Sequence, residues 1–210
     1  MLLWINGPFG GGKTQTAHEI QRRLPDSVIC DPEEVGFGLR RMTPSHLRHD
    51  FQDYPAWRQG VFEVLDQVLS RYAGVVIAPM TVVEPDCYEE TVGRLRSRGH
   101  DVSHFALLAD RGTVLRRLRE RGVGHVLHFV AGKDAPLLRE SFAVSKLDYC
   151  LERLAGPEFA EHVLTDHLTI AEVAERIAGS AGLALAPNTD SALQGRLRRA
   201  WTGAKHIRFD

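Results

Sequence analysis

Cysteine is scarce in this chain of 210 residues: Cys30, Cys87 and Cys150 stand far apart, form no CxxC pair and are odd in number. A framework pairing every cysteine internally is therefore excluded, and a reducing, cytoplasmic setting is expected. No apolar run approaches the roughly 20 residues that a membrane-spanning helix needs, and the opening Met1 to Asn6 lacks the basic start of a signal peptide. The chain is expected to be neither exported nor transmembrane. An excess of positive charge is missing too: 26 Lys and Arg face 27 Asp and Glu, a formal charge of −1. Without a global positive field to gather a polyanion, nucleic acid is not an expected partner. The ten histidines show no HExxH pairing, so no zinc site is expected, and no repeat recurs.

What is present is ordinary in bulk and specific in detail. A hydrophobic share of 43% and a charged share of 25% fit a globular chain, and the length fits one core. Leu2 to Asn6 is a short apolar run that ends in a glycine-rich turn, and it predicts a buried strand. Ala17, Ile20 and Leu24 then recur at helical spacing over Lys13 to Leu24, before Pro25 and Asp26 stop the pattern. Further strands are predicted at Val28 to Cys30, Val75 to Ala78, Val102 to Leu108 and His162 to Thr165. Helices are predicted around Val61 to Tyr72, Cys87 to Arg98, Thr113 to Arg121, Ser141 to Leu154 and Ile170 to Ala178. Residues Asp31 to Tyr54 show no clear period and are expected to form turns and short helices that face a substrate.

Five short buried strands alternating with helices predict an α/β fold: a three-layer, parallel, five-stranded sheet covered on both faces. Ligands in such sheets sit beyond the C-terminal strand edge. Residues 1–186 are expected to form this domain, with a lid-like loop near 122–136. A separate basic amphipathic tail is expected over 187–210. There Leu193, Leu197, Ala200, Trp201 and Ala204 make a helical stripe amid Arg196, Arg198, Arg199 and Lys205. Such a helix either packs on the chain's own core or lies on an anionic membrane surface.

Gly7-Pro8-Phe9-Gly10-Gly11-Gly12-Lys13-Thr14 matches GxxxxGK[ST] in full, between a strand and a helix. The glycines let successive N–H groups turn inward around a phosphate, and the helix start adds roughly half a positive charge. Lys13 is expected to reach the β- and γ-phosphates of ATP, and Thr14 to ligate Mg²⁺. Gly7 to Thr14 and the adjoining Gln15 are thus the expected nucleotide-binding residues, in a P-loop NTPase of the nucleotide- and shikimate-kinase type. A purely structural glycine turn would have no reason to place Lys-Thr at the helix start.

The acid that P-loop proteins usually carry at a neighbouring strand end is missing, because Val75 to Ala78 leads into Pro79-Met80-Thr81. The other strand-end carboxylate is Asp31. It reads either as a contact to metal-bound water or a base on an acceptor hydroxyl, or as a helix cap before Pro32-Glu33-Glu34. Arg117 and Arg121, four residues apart on one helix face with Arg119 nearby, read either as groups for adenine or developing phosphate charge, or as a solvated basic face. Arg40, Arg41, Asp50, Gln52, Asp53, Tyr54, Trp57 and Arg58 suit a polar ligand with rings or sugars, while Trp57 and Phe51 read equally as core anchors.

Trp4-Ile5-Asn6-Gly7, Gly10 through Thr16, Asp31-Pro32-Glu33, Gly36-Phe37, Asp50-Phe51-Gln52, Tyr54-Pro55, Pro79-Met80-Thr81 and Gly93 to Arg96 together resemble the tunicamycin-resistance ATP-binding proteins. Thr165-Asp166 and His206-Ile207-Arg208 extend the likeness along nearly the whole chain, and Gly122 to Phe142 fits it least. The resemblance implies a nucleoside-kinase-like P-loop fold, ATP binding and protection of a bacterial cell from tunicamycin, a nucleoside antibiotic with sugars and a fatty acyl chain. It also implies that Pro79 belongs where it stands. Two functions follow: a phosphotransferase acting on the antibiotic or a similar small molecule, and a binder that sequesters it with the tail at the inner face of the membrane. A kinase for another sugar or nucleoside is the third.

Overall fold

The computed structural model describes residues 1–120, 141–159, 161–190 and 195. Five parallel strands, β1 (Leu2–Asn6), β2 (Ser27–Ile29), β3 (Val75–Pro79), β4 (Val102–Leu108) and β5 (His162–Leu164), form one sheet in the order β2-β3-β1-β4-β5. The connections run to one side of β1 through β2 and β3, and to the other through β4 and β5. The chain therefore leaves a crevice at the C-terminal end of β1, where strand order reverses.

Side-chain alternation along β1 divides the core. Leu2 and Trp4 point to one face with Val76, Ala78 and Ala106, while Leu3 and Ile5 point to the other with Ile77, Phe105 and Leu107. The second face is covered by α1 (Lys13–Arg23) through Ala17 and Ile20, and by α7 (Ile170–Ser180) through Val173, Ala174 and Ile177. A capping box at Thr169 and Glu172 starts α7. On the first face lie α3 (Pro55–Arg71), α6 (Ser141–Leu154) and a composite helix, α4. This last runs Pro85–Tyr88, loosens into a π turn at Glu89–Gly93 and resumes at Arg94–Ser97. The Thr91 hydroxyl donates to the Cys87 carbonyl at 2.7 Å, competing with the backbone where the turn widens. Together with α2 (Glu33–Met42) and α5 (Arg111–Arg119), these give the three layers expected.

Three local expectations shift. The turns and short helices expected over Asp31 to Tyr54 include a ten-residue helix, α2, whose extent was not legible because Gly36, Gly38 and paired arginines blur a stripe that Val35 and Leu39 nevertheless bury against the core. Helix α3 begins six residues before Val61, at Pro55, a residue pre-set for a first helical turn. That places Trp57 in the core, fully buried, with its indole N–H donating to the Pro32 carbonyl at 3.0 Å, so it is an anchor and not a pocket wall. Helix α5 starts and stops two residues early, and Arg121, the lid-like loop and the tail beyond residue 190, save residue 195, lie outside the described residues.

Gly36 fits against the ring of Phe51, where an added Cβ would come within 2.5 Å of the ring carbon Cγ. Phe51 in turn packs 5.6 Å from Trp57 and 5.9 Å from Phe37, centroid to centroid. A Gly36→Ala chain should lose about 1–3 kcal/mol by overpacking, despite the better helix propensity of alanine. Urea denaturation will read this as a lower midpoint with an unchanged slope.

Candidate functional site

The crevice at the end of β1 is filled by the glycine loop. Gly10 (φ 76°) and Gly12 (φ 96°) adopt the left-handed region that side chains disfavour, and so let the loop double back before α1. Space is closed as well: a Cβ on Gly10 would lie 2.9 Å from Leu118 of α5. No side chain caps the first turn of α1 and no acidic residue lies in it, so its N-terminal dipole is aimed into the loop without a built-in counter-charge. An oxyanion is the chemical complement of such a turn.

Lys13 is buried at the same point. Its Nζ donates to the Pro8 carbonyl at 3.1 Å and lies 5.6 Å from the Phe9 ring centroid, so the ammonium is folded over the loop it would serve. Phe9 meets Phe142 of α6 edge to face at 5.7 Å. Thr14 and Gln15 follow, half-buried, in the first turn of α1.

What holds the loop is a set of side chains that motif reasoning passed over. The buried amide of Asn6 is bonded through both its oxygen and its nitrogen. Its oxygen accepts from Gly7 N at 2.8 Å and Val82 N at 3.0 Å, while its nitrogen donates to the Val82 carbonyl at 2.7 Å and lies 3.3 Å from His104 Nε2. The Thr81 hydroxyl donates to the Gly7 carbonyl at 2.8 Å. The strand end Pro79-Met80-Thr81, where an acid was expected, thus serves as a splint for the loop. A polar residue closing an otherwise apolar strand, as Asn6 does, was the available signal.

The other candidates surround this centre. Asp31 sits half-buried beyond β2, separated from β1 by β3, and its Oδ1 accepts from Glu33 N at 2.9 Å at the start of α2. That is capping geometry, and it leaves Asp31 at the same sheet edge as the loop. Arg117 is half-buried on α5 and lies against the end of β5: Nη1 donates to Thr165 Oγ1 at 3.0 Å and Nη2 to the Thr165 carbonyl at 2.7 Å. Burial pushes the guanidinium below its ordinary pKa, and the charge of Asp166 opposes that. Among the described residues no group of three His, Cys, Asp or Glu side chains could hold a metal ion.

From residue 2 to residue 127 the sequence matches the family described as AAA domain. The tunicamycin resistance protein of Deinococcus radiodurans is 33% identical and superposes with a TM-score of 0.70, over 89% of this chain and 99% of that one. Two more distant structures share the fold. The APS kinase of Mycobacterium tuberculosis, in complex with AMPPNP and APS, is 15% identical with a TM-score of 0.54, over 86% and 96% of the two chains. The shikimate kinase of Bacteroides thetaiotaomicron is 16% identical with a TM-score of 0.51, over 87% and 99%. No curated protein matches significantly.

Replacing Lys13 by Ala should weaken ATP binding by roughly 10- to 100-fold, the value of one or two charge-assisted contacts, while the melting temperature stays within a few degrees. Titration calorimetry and a thermal melt on the same preparation check both halves.

Proposed function

The chain belongs to the AAA domain family and to the family of the Deinococcus radiodurans tunicamycin resistance protein, and we propose on that footing that it binds ATP and transfers the γ-phosphoryl group to a hydroxyl of tunicamycin or a similar small molecule. The observation that carries this reading is the uncapped start of α1, enclosed by glycines and faced by Lys13. In support, the parallel sheet brings Asp31, beyond β2, to the same edge, and we assign the acceptor to that side.

Each residue then has a role. The loop amides and Lys13 grip the β- and γ-phosphates, and Lys13 exchanges its bond with the Pro8 carbonyl for phosphate oxygens. The residues present fit Mg²⁺ in the manner of this loop, because one hydroxyl, Thr14, suffices when phosphates and water fill the other positions. When bound, Mg²⁺ would neutralise charge on the transferred group. Asp31 accepts the proton of the acceptor hydroxyl. Arg117, whose two terminal nitrogens are engaged by Thr165, offers its flat face to adenine, and Arg121 steadies the departing charge. No helix of the described residues is long and apolar enough to cross a membrane.

One observation favours a second reading, ATP-dependent sequestration without transfer: Thr81 stands where an acid would organise the metal's water shell. Purified protein incubated with Mg²⁺, ATP and tunicamycin separates the two by mass spectrometry. The transfer reading expects a drug heavier by one phosphoryl group, together with ADP. Unmodified drug that is nevertheless bound would contradict it, and turnover with a different sugar or nucleoside would redirect it.

Asp31→Asn discriminates within the site, because asparagine caps a helix about as well as aspartate but is not a base. The turnover rate should fall by roughly 10²–10⁴ while stability is unchanged. An unaltered rate would return Asp31 to capping alone.

A further inference from the structure

Gln52, grouped by sequence with residues suited to a polar ligand, reaches instead out of its own turn into the splint behind the loop. It lies in the short 3-10 turn Phe51–Asp53, between α2 and α3, on the side assigned above to the acceptor. Its Nε2 donates to the Thr81 carbonyl at 2.9 Å, and its Oε1 accepts from Cys87 Sγ at 3.8 Å. Only the amide nitrogen can serve a carbonyl, so the bond to Thr81 holds the group in one orientation, with its oxygen toward the thiol. Burial pushes the Cys87 thiol up to about 12 against the pull of Arg58, which keeps the proton on sulfur at neutral pH. Arg58 fixes the turn from its other side, with Nη1 donating to the Gln52 carbonyl at 2.6 Å and Nε to Glu90 Oε2 at 2.7 Å.

Thr81 commits both of its outward polar groups to this path. Its carbonyl receives Gln52, and its hydroxyl holds the Gly7 carbonyl at 2.8 Å. The residues on either side are themselves fastened: Met80 N donates to the Ile5 carbonyl at 3.0 Å, and Val82 N to Asn6 Oδ1 at 3.0 Å. Two hydrogen bonds through a residue without slack therefore connect the turn to the first residue of the phosphate loop.

We infer that Gln52 is a positioning residue, which sets the acceptor-side turn against the phosphate loop through Thr81 and Gly7 so that both halves of the site form one piece. The inference rests on the proposed function for its naming of the two sides. Gln52 touches no reacting atom in this scheme. Its effect is energetic coupling between residues that share one hydrogen-bond path, and such coupling is measured by a double-mutant cycle.

The cycle uses the full chain with Mg²⁺ and ATP, titrated by calorimetry, with a thermal melt on each variant. Gln52→Met keeps the volume and removes both polar atoms, and Gln52→Glu keeps the shape but cannot donate to Thr81. Thr81→Val removes the hydroxyl, and Thr81→Ser retains it. Gln52→Met, Gln52→Glu and Thr81→Val should each weaken ATP binding by roughly 2- to 30-fold. The pair Gln52→Met with Thr81→Val should bind no worse than the weaker single variant, and Thr81→Ser should bind like the parent. Parental affinity in both Gln52 variants, or losses that multiply in the double variant, would overturn the inference and leave the nucleotide site standing. A parent chain that binds no ATP would overturn the proposed function and the inference with it.

Discussion

Everything at this site depends on the buried amide of Asn6. It stands at the last position of the central strand, and its oxygen and nitrogen hold the first N–H of the loop and both backbone groups of Val82. A buried amide bonded through both its oxygen and its nitrogen is rigid, because any rotation would strand a polar group away from water at a cost of about 1–3 kcal/mol. The rigidity passes to Gly7. A loop with four glycines would otherwise sample many conformations, and ordering it on ligand binding would lower the affinity.

The sheet explains why that amide can act where it does. With β1 central, its end is flanked by β3 and β4, so Asn6 finds the segment after β3 on one side and His104 of β4 on the other. The same strand order sets Asp31 beyond β3 and Thr165 at the end of β5, the two margins of the crevice. The positions of the loop, of Asp31 and of Thr165 thus follow from one topological fact, the reversal of strand order at β1. Helix α5 closes the loop from above through Leu118, which is why Gly10 tolerates no side chain.

Much of this was legible in the residues. The inner strands and the loop were readable because buried parallel strands are continuous apolar runs and because GxxxxGK[ST] has a mechanical reason for each of its fixed positions, whereas the edge strands β2 and β5, expected to be buried, are only partly so. Helix α2 was hidden, since Gly36 is there for the ring of Phe51, a tertiary demand that depresses local helical signal. Trp57 read as ambiguous because an aromatic residue among charges looks the same in a pocket and in a core until its N–H is seen to meet Pro32. Thr81 and Gln52 were invisible as partners, being hydrogen-bonded across 29 positions of sequence. Their joint use explains what the strand end does in place of carrying an acid: it holds the loop.

The central claim is that main-chain amides at the start of α1 grip a triphosphate. Amide proton and nitrogen shifts of Gly10, Gly12 and Thr14, followed by nuclear magnetic resonance during titration with Mg²⁺ and ATP, test it at the atoms concerned. Large, saturable downfield shifts confined to these residues and their neighbours are the expected result. Amides that stay in place while ATP reaches saturating concentration would contradict the account.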